Sequence, residues 1–224
     1  MTPRERVLAA IAHRQTERVP IDLGGTMCSS LTRRAGQNLK AFLNIETAPE
    51  PITNPLTDSI AVADEILELF QVDFRTVRMR GPDAVTEPAA NPGEIRDEFG
   101  TVWKTVDYDY VPVRFSYADA SLGDLNQLPK PDPYDQGRIR GLREEAQHLR
   151  ETSDYALIAD FTCGGPFEQA QRIRCFQQFL LDMVQDPQFT RALLEILTEN
   201  AIGFWDAMLT EAGEYVDVVC QGDD

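Results

Sequence analysis

An α/β fold, a TIM-type (β/α)8 barrel of which about four βα units are present, is what three features of this sequence predict. Strand-like apolar runs alternate with helical stretches, glycine or proline turns follow the strands, and no G-x-G-x-x-G motif argues for a dinucleotide-binding sheet. One stretch departs from the pattern and predicts an inserted β-hairpin near residues 94–117. The 224 residues form one predicted domain, an incomplete barrel spanning 1–224.

The elements follow in order. Thr2-Pro3-Arg4-Glu5 is a capping box with proline in the first turn, and Val7, Leu8 and Ile11 predict an apolar helix face. Arg18 to Gly25 reads as a first strand ended by a double glycine. Ser29 or Ser30 then caps a helix through Leu31, Leu39, Phe42 and Leu43, in which Gly36 costs about 1 kcal/mol relative to alanine. Thr57 or Asp58 caps a helix carrying Ile60 to Phe70, and Val72 to Met79 is a second strand. Alternation around Phe99 to Trp103 and Val111 to Phe115 gives the hairpin, and the proline-rich 128–133 is a surface connector. A helix over 138–150 leads to a third strand, Tyr155 to Ala159, whose unbroken apolar run suits a parallel strand buried on both sides. Helical segments 167–173 and 176–184 and a long helix from Pro187 to Gly213 precede a fourth strand, 216–221. Four strands cannot close a barrel, so the expectation is a truncated chain or one completed by another component.

Composition narrows function. Lys and Arg number 21 against 37 Asp and Glu, giving a net charge of −16 that repels phosphate backbones, so neither nucleic acid nor an anionic membrane is an expected partner. No apolar run reaches the roughly 20 residues of a membrane span, and Met1 to Arg6 lacks signal-peptide order, which together predict a cytoplasmic protein. Cys28, Cys163, Cys175 and Cys220 are scattered and read as buried free thiols. His13 and His148 fit no metal-binding spacing, so no metal site is expected within these residues.

Several motifs in sequence carry a resemblance. T-P-R-E-R-V-L-A-A-I with R-V-P-I-D, L-P-K-P-D-P before G-L-R-E-E-A, G-G-P-F-E-Q-A, and V-D-V-V-C-Q-G-D-D resemble the uroporphyrinogen decarboxylase superfamily. The resemblance implies a TIM-type barrel enzyme with one of two chemistries: decarboxylation of tetrapyrrole acetate arms in porphyrin biosynthesis, or methyl transfer between a corrinoid and a small acceptor. The decarboxylases' R-Q-A-G-R motif is replaced by Leu23-Gly24-Gly25-Thr26-Met27-Cys28, with Arg33-Arg34-Ala35-Gly36 a displaced echo. Their F-S-D aspartate aligns with Arg80. The resemblance therefore points to methyl transfer first and the lyase second, and a non-catalytic barrel that binds a ligand or a corrinoid protein is a third reading. It implies a corrinoid co-substrate, a small-molecule substrate, a corrinoid-protein partner, a homodimer as one assembly, and zinc held by residues beyond Asp224, with no cofactor held inside this chain.

Candidate residues follow from strand-end positions. Asp160 ends the third strand and Asp223 and Asp224 the fourth, the three expected catalytic carboxylates, with capping of the 162–165 turn an equal role for Asp160. Arg78 and Arg80 alternate on the second strand and form an expected basic pocket, unless they pair with Glu94, Asp97 and Glu98 of the hairpin. Gln169, Arg174 and Gln221 complete the substrate-binding set; Glu168 is already explained by the helix dipole.

Overall fold

The computed structural model describes residues 1–84, 89, 91–106, 109–160 and 164–223. Helix α1 runs Pro3–Ile11, strand β1 Leu31–Thr32, helix α2 Arg33–Leu43, strands β2 Ile52–Asn54 and β3 Ser59–Ile60, helix α3 Asp64–Leu69 and strand β4 Phe74–Val77. Strands β5 Glu94–Arg96, β6 Val102–Val106 and β7 Asp109–Arg114 follow, then helices α4 Gln136–Ile139 and α5 Leu142–Thr152 and strand β8 Ala156–Asp160. Helices α6 Pro166–Arg174, α7 Phe176–Gln185 and α8 Pro187–Ala212 lead to strand β9 Val218–Cys220. The chain divides into two compact units, one of residues 1–79, 141–162 and 209–220, the other of 80–140, 163–208 and 221–224.

The first unit is built on a parallel sheet of order β4-β8-β9. Every residue of β8 is buried, as its apolar run requires of a central parallel strand. Helices α1 and α5 lie against it. In α5 the buried positions are Leu142 and Ala146, and the single helix expected over 138–150 is split because Gly141 adopts φ 77° between α4 and α5. The Thr2–Glu5 capping box forms, but Leu8 and Ile11 are exposed while Arg6 and Ala9 join Val7 inside. Arg6 is drawn in by Asp73.

That aspartate is fully buried just before β4. It pairs with Arg6, accepts from Arg18 at 2.6 and 2.9 Å, and takes the backbone N–H of Ile21 at 2.8 Å. Asp217, before β9, plays a similar part, accepting from Arg4 at 3.0 Å, Arg150 at 2.6 Å and the Leu157 N–H at 2.9 Å. Both lie at the N-terminal ends of their strands, the face that serves stability in barrel sheets.

The expected first strand is absent. Residues 18–25 run beside β4 with one backbone bond, Asp73 N–H to Ile21 C=O at 2.9 Å, and no ladder forms. Pro20 has no N–H to give, and the Ile21 N–H is taken by the Asp73 side chain. Thr32 rather than Ser29 or Ser30 caps α2, and Ile60 belongs to β3, so α3 is shorter than its apolar pattern suggested. β3 sits between β1 and β2 in a small antiparallel sheet. Gly36 has its reason here: a Cβ would lie 2.5 Å from Ile60 Cδ1, so the glycine lets α2 close on β3.

In the second unit the expected hairpin is a three-stranded antiparallel sheet, order β5-β6-β7. Asp97, in the β5–β6 connection, accepts from Trp103 Nε1 at 2.8 Å and from the N–H groups of Phe99 and Thr101. Phe99, Leu125, Ile173, Phe179, Phe189 and Leu193 centre the core of this unit. Within the 128–133 connector Leu128 and Pro131 are buried, and Asn200 donates to Pro131 C=O at 2.9 Å, so it is anchored rather than superficial. Among the described residues no closed barrel forms, and no helix is long and apolar enough to cross a membrane.

Candidate active site at the carboxyl ends of the parallel strands

Strand register builds the site. β4 and β8 pair from Phe74↔Ala156 to Val77↔Ala159, which puts Arg78 next to Asp160, and β8 pairs β9 with Asp160 opposite Cys220. Arg78, Asp160 and Cys220 therefore form a row across the C-terminal ends of three neighbouring strands. In barrel sheets this end carries the chemistry.

The double glycine supplies the facing wall. Gly24 takes φ 79°, and a Cβ there would lie 2.7 Å from Val62 Cγ2, so only glycine fits. Thr76 of β4 donates its hydroxyl to Gly24 C=O at 2.9 Å and pins the turn. Asp22 then accepts from Gly25 N–H at 2.9 Å and from Ser29 Oγ at 2.6 Å, and Thr26 caps the tight turn Met27–Ser29. The Met27 N–H points at Asp160 and donates to Oδ2 at 2.6 Å. Beside this turn, Gly24, Val62, Phe74, Arg75, Thr76 and Arg78 help to line a cavity of about 270 Å³.

Burial dominates the electrostatics. It pushes the Asp160 carboxyl above the usual carboxylate range, aided by the negative charge of Asp22 and opposed by the Met27 N–H and the Arg78 charge. Burial likewise pulls the Arg78 guanidinium down, with Asp160 and Asp22 acting the other way. The Cys220 thiol is pushed up by burial and then by Asp160, Cys28 and Asp22. Asp160 is thus a carboxyl that retains its proton unusually well, beside a cation and a thiol. Among the described residues no three His, Cys, Asp or Glu side chains are grouped to hold a metal ion.

The remaining candidates fall elsewhere. β4 ends at Val77, so strand alternation does not extend to Arg80, which is exposed, belongs to the second unit and donates its backbone N–H to Arg138 C=O at 3.2 Å. The hairpin carboxylates proposed as its partners are engaged by others: Glu94 by Arg114, Glu98 by Arg138, Asp97 by Trp103. Asp223 is a helix cap, its two oxygens accepting from Phe167 N–H at 3.0 Å and Glu168 N–H at 2.8 Å. Asp224 lies outside the described residues, as do Thr162 and Cys163.

Gln169 is buried on α6, and Glu168 pairs with Arg172 one turn on. Arg174 is buried, bonded to Asp182 at 2.6 Å and to the carbonyls of Tyr117 and Ala120 at 2.8 Å, with Phe189 under its guanidinium. Gln221 accepts from Trp205 Nε1 at 2.9 Å and donates to Gly222 C=O. Nor are the described cysteines buried: Cys28 is exposed, Cys175 and Cys220 are half-buried, and all three are free thiols. Sequence reasoning missed Asp22, Cys28 and Cys220 as neighbours of Asp160. The double glycine marks the turn that brings the first two there.

The sequence profile described as uroporphyrinogen decarboxylase (URO-D) matches residues 70–223. No curated protein matches the chain. Among solved structures, a methyltransferase from Methanosarcina mazei shares the fold with a TM-score of 0.59 at 19% identity, over 100% of this chain and 59% of that one. This chain therefore spans 59% of the length of that protein. The profile match takes in β4, β8 and β9 with their strand-end row, and the chain belongs to the uroporphyrinogen decarboxylase family.

Proposed function

We propose that this protein transfers a methyl group between a methylated corrinoid and a small thiol acceptor, with Asp160 as the proton acceptor. The observation that supports this most is the setting of Asp160: a buried carboxyl of raised pKa at the end of the central parallel strand, held by one N–H and flanked by Arg78. Likeness in fold to a Methanosarcina methyltransferase agrees with it.

In such a transfer the acceptor sulfur forms its bond to the methyl carbon as the cobalt–carbon bond breaks, and the electron pair leaves with the corrinoid. The sulfur must shed its proton. A carboxylate of ordinary pKa is a weak base toward a thiol, and raising that pKa narrows the gap, which favours general-base transfer at neutral pH. Arg78 keeps the deprotonated form accessible despite burial.

The test is incubation of the full-length protein with methylcobalamin and small thiols, following loss of the cobalt–carbon absorbance and appearance of the methyl thioether by mass. Demethylation that depends on both protein and thiol is the expected result. The family match also favours a second reading, decarboxylation, in which Arg78 would hold a substrate carboxylate. Stepwise loss of carbon dioxide from uroporphyrinogen, with no demethylation, would replace the first reading by the second.

A further inference from the structure

We propose that Cys28 and Cys220 form an oxidisable dithiol across the mouth of the Asp160 site. The backbone brings them together. Cys220 is the register partner of Asp160, Met27 donates its N–H to the Asp160 carboxylate at 2.6 Å, and Cys28 is the next residue after Met27. The turn bearing Cys28 is fixed at both ends, by the Thr26–Ser29 capping box and by Ser29 Oγ on Asp22, and the Met27 bond holds its backbone beside the strand end. Both thiols are free, Cys28 exposed and Cys220 half-buried. Their proximity is also felt electrostatically, since Cys28 is among the groups that raise the Cys220 thiol.

Their environments divide the work. Cys28, open to solvent, is the thiol hydrogen peroxide reaches first: its sulfur attacks a peroxide oxygen, the O–O bond breaks, and a sulfenic acid and one water result. Cys220, kept protonated by burial and by two carboxylates, is a poor first nucleophile but stands where it can resolve that sulfenic acid. Its sulfur bonds to the Cys28 sulfur, and the hydroxyl leaves with the thiol proton as a second water. The two thiols lose two electrons and two protons in all, and the peroxide is the oxidant reduced. The disulfide would tie the Met27–Ser29 turn to β9 directly over Asp160 and close the strand-end row.

That closure rests on the reading of Asp160 as the working base, but the dithiol itself does not. The experiment treats the full chain with hydrogen peroxide near stoichiometry, digests it without reduction and maps cross-linked peptides by mass. A Cys28–Cys220 peptide, lighter by two hydrogens than its parts and split by dithiothreitol, is expected. Cys220→Ser should instead leave a Cys28 sulfenic acid that dimedone traps. Cross-links from Cys28 to Cys163 or Cys175, or over-oxidation of Cys28 with no cross-link, would overturn the proposal. Methyl transfer measured on the same samples separates the two ideas: the expected result is loss on oxidation and return on reduction. A disulfide that forms in a protein showing no transfer in either state defeats the functional reading and leaves the dithiol standing.

Discussion

Asp160 keeps its proton because the cost of burying a charge is only partly offset by the Met27 N–H and the Arg78 guanidinium. Removing the guanidinium removes one of the two influences that lower its pKa, so Arg78→Met is expected to move the acid limb of the pH–rate curve to higher pH. An unchanged limb would mean that Arg78 does not act through Asp160. Asp73 shows the opposite use of a buried carboxylate, paired with Arg6 and Arg18 and bonded to the Ile21 N–H. Asp73→Asn takes the buried counter-charge from Arg18 and leaves Arg6 with Glu17 alone, and is expected to cost about 3 kcal/mol in urea unfolding. A loss under about 1 kcal/mol would show that solvent replaces the carboxylate without strain. At this scale the sequence made Asp160 and Arg78 legible, because position at a strand end is readable from the apolar run that precedes it. Asp22, Cys28 and Cys220 were not, because their nearness to Asp160 depends on the Gly24 turn and on pairing between distant strands, such as Asp160 with Cys220.

Among the elements, the three parallel strands matched their sequence signals, since continuous apolar runs of this length between helices have few other solutions. The first expected strand failed for a local reason, Pro20 and the capture of the Ile21 N–H by a side chain, which composition does not reveal. Helix α6 illustrates a different limit. Its N-terminus reads from sequence as a glycine–proline turn, and the Asp223 carboxylate from far along the chain fills it. A Cβ on Gly165 would fall within the contact radii of Asp223 Cβ and Cγ. Gly165→Ala is therefore expected to expel the cap and lower stability by about 1–2 kcal/mol, with Asp223→Ala costing a similar amount and the double variant little more. Full additivity in the urea midpoints would separate the glycine from the cap. Arg174 is likewise occupied, with Asp182, two carbonyls and Phe189 taking up its guanidinium.

Across the whole molecule a net charge of −16 sets the background. Such a chain repels itself when compact, and salt relieves that repulsion. Raising sodium chloride from about 0.01 to about 0.15 M shortens the screening length from roughly 30 to roughly 8 Å. The thermal midpoint is expected to rise, because the buried pairs at Asp73 and Asp217 are screened far less than the surface excess of carboxylates. A falling midpoint would show that exposed pairs such as Arg140–Asp83 outweigh the repulsion.

The same acidity makes the raised carboxyl of Asp160 distinctive. Since the folded protein holds the Asp160 proton to higher pH than the unfolded chain, the stability this group adds is complete below the unfolded carboxylate pKa and is lost as pH rises through the folded value. Asp160→Asn, neutral throughout, should gain stability at neutral pH while losing the base. The most direct test of the account is the pH dependence of kcat for thiol-dependent demethylation, in the wild type and in Asp160→Asn. The wild-type rate should fall as pH drops, along an acid limb above the ordinary carboxylate range, and the variant should be slower by about 10²–10⁴ and lack that limb. A variant that keeps both the wild-type rate and its limb would contradict the role of Asp160 and the site built around it.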